Sequence, residues 1–329
     1  MVNLNLKDRK ILYELDINSR ESFHHIAKKV GLSKDSVIYR IERMKNEGII
    51  KQFHTIIDAG KLGFISFRIY LKFQNTTPEK EKEIIEFLKK QENVQWIVSI
   101  EGEYNLGIWV LSKSIKEMNK LWKDLIRKYS NYIEKKQFFI FTKVSYFDRS
   151  YILEKKIPRQ EYLFITESEK IDLDKKDLEI LRILSSNSRV SILEISNKIN
   201  LTPKTISSRI KDLENKNVIL GYRIMFDIEK LGYQYFKLHF NLYNLKANKE
   251  KELRSFIKQN PYIIYDNEVI GGDDIELDIQ VKSLQDLRIL IDEVKRKFAD
   301  IIKDYHYMLF YKEHKFLFFP TLIEQRLCN

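Results

Sequence analysis

The chain has 329 residues and a single cysteine, Cys328. That excludes an intramolecular disulfide framework and a thiolate metal cluster, and it suits a reducing compartment. No apolar run approaches the 18 residues or more of a membrane-spanning helix, so none is expected. The opening Met1-Val2-Asn3-Leu4-Asn5-Leu6-Lys7 lacks the apolar stretch behind a basic flank that marks a signal peptide, and the expected location is the cytoplasm. A Walker-type loop, a Gly-x-Gly-x-x-Gly loop and a His-Glu-x-x-His helix are all missing. The six histidines, His24, His25, His54, His239, His306 and His314, are scattered, and none has metal-ligand spacing with carboxylates on a predicted helix face. His24 and His25 are adjacent on a helix and point in different directions. Neither a metal, a cofactor nor a catalytic nucleophile is therefore expected, and Asp273-Asp274 reads as a solvated turn.

What is present is ample material for packed cores. Apolar residues make up 43% and aromatics 12% of the chain, which argues against disorder. The formal net charge of +11 suggests a polyanionic partner. A lysine-rich solvated surface is the plain alternative.

The chain is one unit written twice. Asp8-Arg9-Lys10-Ile11-Leu12 recurs as Asp177-Leu178-Glu179-Ile180-Leu181, and Asn18-Ser19-Arg20 as Asn187-Ser188-Arg189. Leu62-Gly63-Phe64 matches Leu231-Gly232-Tyr233, and Gly102 matches Gly271, always 169 positions apart (177 − 8 = 169). This is far longer than a solenoid repeat of about 20–50 residues. Each half holds a complete set of elements, so whatever one half does has a related site in the other.

Three short amphipathic helices open each half. Ile11, Leu12 and Leu15 share a face, then Phe23, Ile26, Ala27 and Val30, then Val37, Ile41 and Met44. The second copy supplies Ile180, Leu181 and Leu184, then Ile192, Ile195 and Ile199, then Ile206, Ile210 and Leu213. Ser33 and Thr202 stand where a hydroxyl caps the third helix, and Pro203 occupies the first helical position. Gly31 matches Asn200 and Gly48 matches Asn217, which points to left-handed backbone at both places. Helix, helix, tight turn, helix is the layout that sets its last helix in a major groove. Residues 49–57 and 218–226 read as extended wings. The third helices, residues 34–46 and 203–215, then carry the candidate DNA contacts. These are Lys34, Ser36, Tyr39, Arg40 and Arg43 in the first copy, and Lys204, Thr205, Ser207, Ser208, Arg209 and Lys211 in the second. Front-of-helix residues should reach base edges, and Arg and Lys further along should favour phosphates. Asp35 faces Lys204 in the repeat register, Ile38 faces Ser207 and Tyr39 faces Ser208, so two unlike half-sites are expected.

The rest of each half alternates between strand and helix periods. Phe67, Ile69, Leu71 and Phe73 alternate with Arg68, Tyr70 and Lys72, the period of a half-buried strand with the first set inward. A helix after Pro78, two strands joined near Gly102, a second helix and a last strand complete the order β-α-β-β-α-β. The second half repeats it.

The dispersed pattern of Ile11-Leu12, Asn18-Ser19-Arg20, Ile26-Ala27, Gly31-Leu32-Ser33, Arg40-Ile41, Gly48-Ile49-Ile50 and Leu62-Gly63 resembles the Lrp/AsnC (feast/famine) transcriptional regulators. The second copy is similar through Leu173-Asp174, Asp177, Ile180-Leu181, Leu201-Thr202-Pro203, Arg209-Ile210 and Leu231-Gly232. The resemblance implies a ferredoxin-like effector domain that pairs through its sheet and, in many members, binds an amino acid at a subunit interface. The family's Gly-x-x-Asp turn matches Gly102-Glu103-Tyr104-Asn105 and Gly271-Gly272-Asp273-Asp274. It would make Gly102, Tyr104, Asn105, Gly271, Asp273 and Asp274 the candidate effector residues. The first copy departs by carrying Asn105, and the second lacks the aromatic found at Tyr104. The plain alternative is a hairpin that needs glycine for positive φ.

The expected fold class is α+β: two tandem copies of a winged helix-turn-helix domain followed by a ferredoxin-like βαββαβ domain. The boundaries are residues 1–64, 65–148, 173–233 and 234–329, with a linker at 149–172 too apolar to be a free tether. The expected partners are double-stranded DNA and a small amino-acid-like effector, with no membrane. The two effector domains would pair within one chain as a pseudo-dimer, and such chains could pair again as a homodimer. The alternative function is a metabolite-sensing or protein-binding module without DNA. Among relatives of this architecture the sirohaem decarboxylases are enzymes, marked by a His-Asn-Tyr motif before Asn-Leu-Trp. Glu101-Gly102-Glu103-Tyr104-Asn105-Leu106 shares only its Tyr/Asn/Leu part and has no histidine, so a non-enzymatic role is expected.

Overall fold

Asn5 and Asp174 begin their halves in the same way. In the computed structural model, which describes residues 4–154, 157–166, 168–243, 246–317 and 319, each accepts a hydrogen bond from the amide three residues on. The aspartate there, Asp8 or Asp177, accepts one in turn from the cap's own N–H. Two orphan amides are thereby satisfied reciprocally, and the helix starts are fixed. Cys328 lies outside the described residues.

The first half runs α1 (Leu6–Ile17), α2 (Phe23–Val30), α3 (Lys34–Asn46), β1 (Ile50–Ile57), β2 (Ile65–Phe73), α4 (Pro78–Lys89), β3 (Val94–Glu101), β4 (Leu106–Ser112), α5 (Ile115–Tyr129) and β5 (Ile133–Phe147). A connecting strand, β6 (Glu161–Ile165), follows. The second half runs α6 (Lys175–Ser186), α7 (Ile192–Ile199), α8 (Pro203–Asn215), β7 (Ile219–Phe226), β8 (Gln234–Leu242), α9 (Ala247–Gln259), β9 (Ile263–Ile270), β10 (Ile275–Val281), α10 (Leu284–Phe298) and β11 (Ile302–Phe316). Gly31 and Asn200 end the second helices at φ 66° and 58°, and Gly48 and Asn217 follow the third helices at φ 65° and 55°. Asparagine tolerates left-handed backbone best after glycine, which accounts for both exchanges. Among the described residues, no helix is long and apolar enough to cross a membrane.

The halves are joined strand to strand. β1 and β7 pair antiparallel, so the two wing strands form one two-stranded ribbon. The remaining strands follow the order β2-β4-β3-β11-β8-β10-β9-β5, and β5 pairs back onto β2. Closure depends on β5 and β11, each 15 residues long. Ile133–Ile140 of β5 pairs with β2 of its own half, and its last residues pair with β9 of the other. β11 does the same with β8 and then β3. A strand well beyond the usual 3–10 residues can serve two neighbours in succession. The two β-α-β-β-α-β units therefore do not stand as separate ferredoxin-like sandwiches with open edges. They share one closed eight-stranded barrel, and closure removes the unpaired edges that separate sheets would present. β6 pairs along β5 outside the closed ring.

Barrel closure also corrects the reading of the strand faces. Phe67, Ile69, Leu71 and Phe73 pack under α4 and α5, with Ile84, Leu88, Leu121 and Leu125. The alternate face was expected to be the solvent side, but it turns into the lumen: Arg68 is 8% exposed and Tyr70 fully buried. In the second half Lys237, His239, Glu276 and Asp278 are buried in the same manner. Both faces of β3, β4 and β10 are thus covered, one by helices and one by the opposite wall, while the long β5 and β11 keep exposed positions.

Candidate nucleic-acid interface and the two effector-type turns

α3 and α8 hold their cores through Val37, Ile41 and Met44, and through Ile206, Ile210 and Leu213, which leaves the opposite face outward. Ser33 Oγ accepts from the Ser36 amide and Thr202 Oγ1 from the Thr205 amide. The hydroxyls of Ser36 and Thr205 bond back to those caps at 2.9 Å, so both are tied to the helix start. Lys34, Lys204, Ser207, Ser208 and Lys211 are exposed, and Tyr39 is 70% exposed.

The arginines do something else. Arg40 Nη1 lies 2.6 Å from Asp8 Oδ1, and Arg43 Nη2 lies 2.9 Å from Asp8 Oδ2, with Asp8 itself buried. Arg209 Nη1 reaches both Asp174 and Asp177 at 2.7 Å. Each guanidinium thereby ties the third helix to the capping box that starts the first. Arg40, Arg43 and Arg209 are half-buried struts of the domain, whereas Lys34, Tyr39, Lys204, Ser207, Ser208 and Lys211 form the free outer face. Spacing alone places arginine and lysine on the same helix surface and does not distinguish them.

The two helical domains are locked together at the Asn-Ser-Arg repeats. Ser19 Oγ and Ser188 Oγ lie 2.6 Å apart and buried, at the same register position of the two halves. Arg20 donates to the Ser188 and Val190 carbonyls, and Arg189 donates to the Ser19 and Glu21 carbonyls. The wing strands cross as well: Thr55 of β1 donates to the Leu184 carbonyl of α6, and Ser19 N–H donates to the Tyr222 carbonyl of β7. The position of one reading helix is thus coupled to that of the other.

At the turn between β3 and β4, Gly102 has φ 142°, and at the turn between β9 and β10, Gly271 has φ 90°. Asn105 Oδ1 accepts from the Phe73 amide at 2.8 Å, and Asp274 Oδ2 accepts from the Leu242 amide at 2.7 Å. These two residues close the ends of β2 and β8 in matching fashion. Tyr104 is buried, stacks on Tyr70 with ring centroids 5.4 Å apart, and donates to Gln137. Asp273 instead accepts from His239 Nδ1 at 2.6 Å, and the His306 ring lies 4.6 Å from that of His239. Burial alone would raise the Asp273 carboxyl, but the hydrogen bond and charge of His239 hold it below its usual range. Sequence spacing scattered these histidines over 67 positions (306 − 239). The repeat register carries the signal, since they align with Tyr70 and Gln137.

A cavity of about 800 Å³ opens between the lumen and the β1–β7 ribbon. Arg68, Trp96, Trp109, Phe141, Tyr235 and Asp278 are among its lining residues. The Arg68 guanidinium sits 4.8 Å from the Trp96 ring and 5.1 Å from the Phe141 ring. Among the described residues no carboxylate lies within ion-pair distance of it. Nothing in a β2 segment read as half solvent-facing announced this cavity.

With this geometry in place, known proteins can be compared. The AsnC-type helix-turn-helix domain family matches residues 4–45, and the winged helix-turn-helix DNA-binding family matches residues 173–219. The HTH-type transcriptional regulator FL11 of Pyrococcus horikoshii is 30% identical over 146 residues, covering 44% of this chain and 94% of that protein. The HTH-type transcriptional regulator Ptr1 of Methanocaldococcus jannaschii is 33% identical over 116 residues, 34% of this chain and 75% of that protein. The crystal structure of the siroheme decarboxylase NirDL superposes on nearly the whole chain, with TM-score 0.64, 14% identity and 98% coverage of both. That last likeness is one of fold. FL11 is matched almost end to end by less than half of this chain, and both halves carry the same helical reader, so the chain belongs to the Lrp/AsnC family of transcriptional regulators as a tandem duplication.

Proposed function

We propose that the chain is a sequence-specific DNA-binding regulator with two unequal reading heads, not a catalyst. The observation that carries this reading is the pair of third helices. They are identical in framework, coupled through Ser19 and Ser188, and different at their exposed positions. α3 presents Lys34 and Tyr39 where α8 presents Pro203 and Ser208. The net charge of +11 favours a polyanion, and phosphate contacts from Lys34, Lys204 and Lys211 supply affinity without sequence information.

Selection of bound sites from random double-stranded DNA, followed by gel shifts over a salt series, tests this. Two unlike half-sites within one footprint are expected, and a symmetric footprint overturns the unequal-heads reading. Absence of binding at low salt overturns the DNA reading altogether. Tyr39→Ala should weaken binding by about tenfold through one half-site and leave melting unchanged. Arg40→Ala should lower stability by about 1–2 kcal/mol, because it strips a charged hydrogen bond from buried Asp8.

The cavity supports a second reading, a metabolite-sensing module. Its volume lies in the range of small-molecule sites, and its aromatic walls with one unpaired guanidinium suit a flat, apolar carboxylate. The effector would then sit here and not at the glycine turns, where Tyr104, Asn105 and Asp274 are already engaged. Arg68→Leu should abolish binding of such a ligand, measured by calorimetry against a panel of aromatic acids.

A further inference from the structure

We propose that His239, Asp273 and His306, closed by the buried carboxylate of Glu276, form a site for one divalent first-row transition ion such as Zn²⁺, present in the second half of the molecule and missing from the first. The proposal is independent of the DNA reading.

Four elements converge here: β8 carries His239, the β9–β10 turn Asp273, β10 Glu276 and β11 His306. Potential ligand atoms of the two histidines and Asp273 all lie within 4.8 Å of one another. His239 Nδ1 is 2.6 Å from Asp273 Oδ2, His306 Nε2 is 3.7 Å from the same oxygen, and Glu276 Oε1 is 3.9 Å from His239 Nδ1. Ligands bound to zinc at about 2.0–2.2 Å in a tetrahedron are separated by about 3.3 Å, so the two histidines and Asp273 reach that spacing with side-chain shifts of up to about 1.5 Å. Imidazole nitrogens with carboxylate oxygens are the mixed donor set that zinc and its neighbours accept.

Glu276 provides a separate indication. It is fully buried, and neither of its oxygens has a hydrogen-bond partner. A buried carboxylate without donors is costly, and such groups are paired or coordinate metals. Lys237 approaches Oε2 at 3.4 Å but sits closer to Asp278, at 3.0 Å. Oε1 is the oxygen turned to His239. Gly272 is also required, because a Cβ there would come within 2.5 Å of Glu276 Oε1. On the outer side, Glu103 of the first half lies 3.8 Å from His306 Nε2 and is ion-paired with Lys135.

The repeat supplies an internal control. In the register of 169, His239, Asp273, His306, Glu276 and Gly272 correspond to Tyr70, Tyr104, Gln137, Gly107 and Glu103. The first half fills the same place with a stacked tyrosine pair hydrogen-bonded to Gln137. All four ligand positions differ together: two tyrosines, a glutamine and a glycine in the first half stand where the second has the imidazole and carboxylate donors that zinc prefers. A lone structural histidine would not require that change.

The test uses the full chain, free of any tag and stripped with chelator, titrated with ZnCl₂ by calorimetry and with Co²⁺ by visible absorption. One equivalent per chain is expected, with a Co²⁺ band of four-coordinate intensity and a rise in melting temperature on adding Zn²⁺. His306→Gln, which installs the side chain of position 137, and Asp273→Asn should each weaken uptake by about 10–100-fold or more. Gln137→Ala should leave it unchanged. Absence of saturable uptake by the unsubstituted chain overturns the site, as does uptake that survives both ligand substitutions. Should a variant melt early, the Co²⁺ spectrum of the unsubstituted chain still decides.

Discussion

Where the first helix of each half meets a wing strand, the first half presents Asp16 and His54, and the second presents Ser185 and Arg223 at the matching positions. The exchange is complementary because the wings cross. Arg223 of β7 lies against α1 of the other half and is fully buried there, bonded to the Asp16 carboxylate and to the Asp16 and Phe147 carbonyls. Arg149 completes the cluster at 2.8 Å from Asp16 Oδ1. Burial alone would raise the Asp16 carboxyl, but the two guanidiniums hold it below its usual range. On the other side of the ribbon Thr55 donates to the Leu184 carbonyl and Gln52 to the Ser185 carbonyl, while the Ser185 hydroxyl donates to Arg182 of its own helix. One junction is thus a buried ionic cluster and the other a neutral packed contact. The duplication keeps the frame and lets the interior chemistry diverge.

The largest expected effect breaks that comparison directly. Asp16→Ala should destabilise the chain by about 3–5 kcal/mol, because two buried guanidiniums lose their counter-ion, whereas Ser185→Ala should cost less than about 1 kcal/mol. Urea unfolding of both variants measures the contrast. Similar losses at the two positions would show that the junctions are equivalent after all.

Next comes a pH response at Asp58, whose place in the second half is taken by Asp227. Burial pushes the Asp58 carboxyl from 3.8 up to about 6, against the hydrogen bonds it accepts from the Gly60 and Lys61 amides. Asp227 has an ion pair with Lys51 at 3.4 Å. A carboxyl raised in the folded state binds its proton more tightly there than in the unfolded chain. Its contribution to stability therefore falls as pH rises from about 4 to about 6, by at most about 3 kcal/mol. Asp58→Asn should remove that slope and leave the variant more stable than its parent above pH 6. Asp227→Asn should change stability by less than about 1 kcal/mol. Melting curves across this range decide, and a parent whose stability does not fall between those limits would contradict the assignment.

The smallest effect should be symmetric. Ser19→Ala and Ser188→Ala each leave one buried hydroxyl without its partner and should cost about 1 kcal/mol. The double variant should cost less than the two single losses combined, since each already removes the shared bond. Additive losses would mean that the two serines do not act as a pair.

Much of this was legible in the residues. The capping residues, the Gly31/Asn200 and Gly48/Asn217 exchanges and the apolar stripes of the six reader helices follow local rules that a sequence displays. The strands were legible as strands, but the burial of Arg68, Tyr70, Lys237 and His239 was not. Alternation says only that one face differs from the other, and a polar face reads as solvent-facing unless a second wall covers it. The ion pairs of the third-helix arginines were not legible for a related reason. Charge and exposed spacing suggested phosphate contacts for Arg40 and Arg209, while their partners Asp8 and Asp177 lie more than 30 positions away.

By itself the sequence determined the duplication, the helical readers with their caps and turns, and the order of strands and helices in each half. These depend on interactions within a few residues and on the period of the pattern. Only the tertiary structure decided that β5 and β11 cross between halves, that the two sheets close into one barrel, and that its polar lumen gathers Arg68, Lys237, Glu276 and the histidines. Those outcomes depend on pairing between residues 100 or more positions apart, where several arrangements satisfy the same local pattern. The choice falls to the arrangement that closes the eight strands on themselves and covers the polar strand face from water.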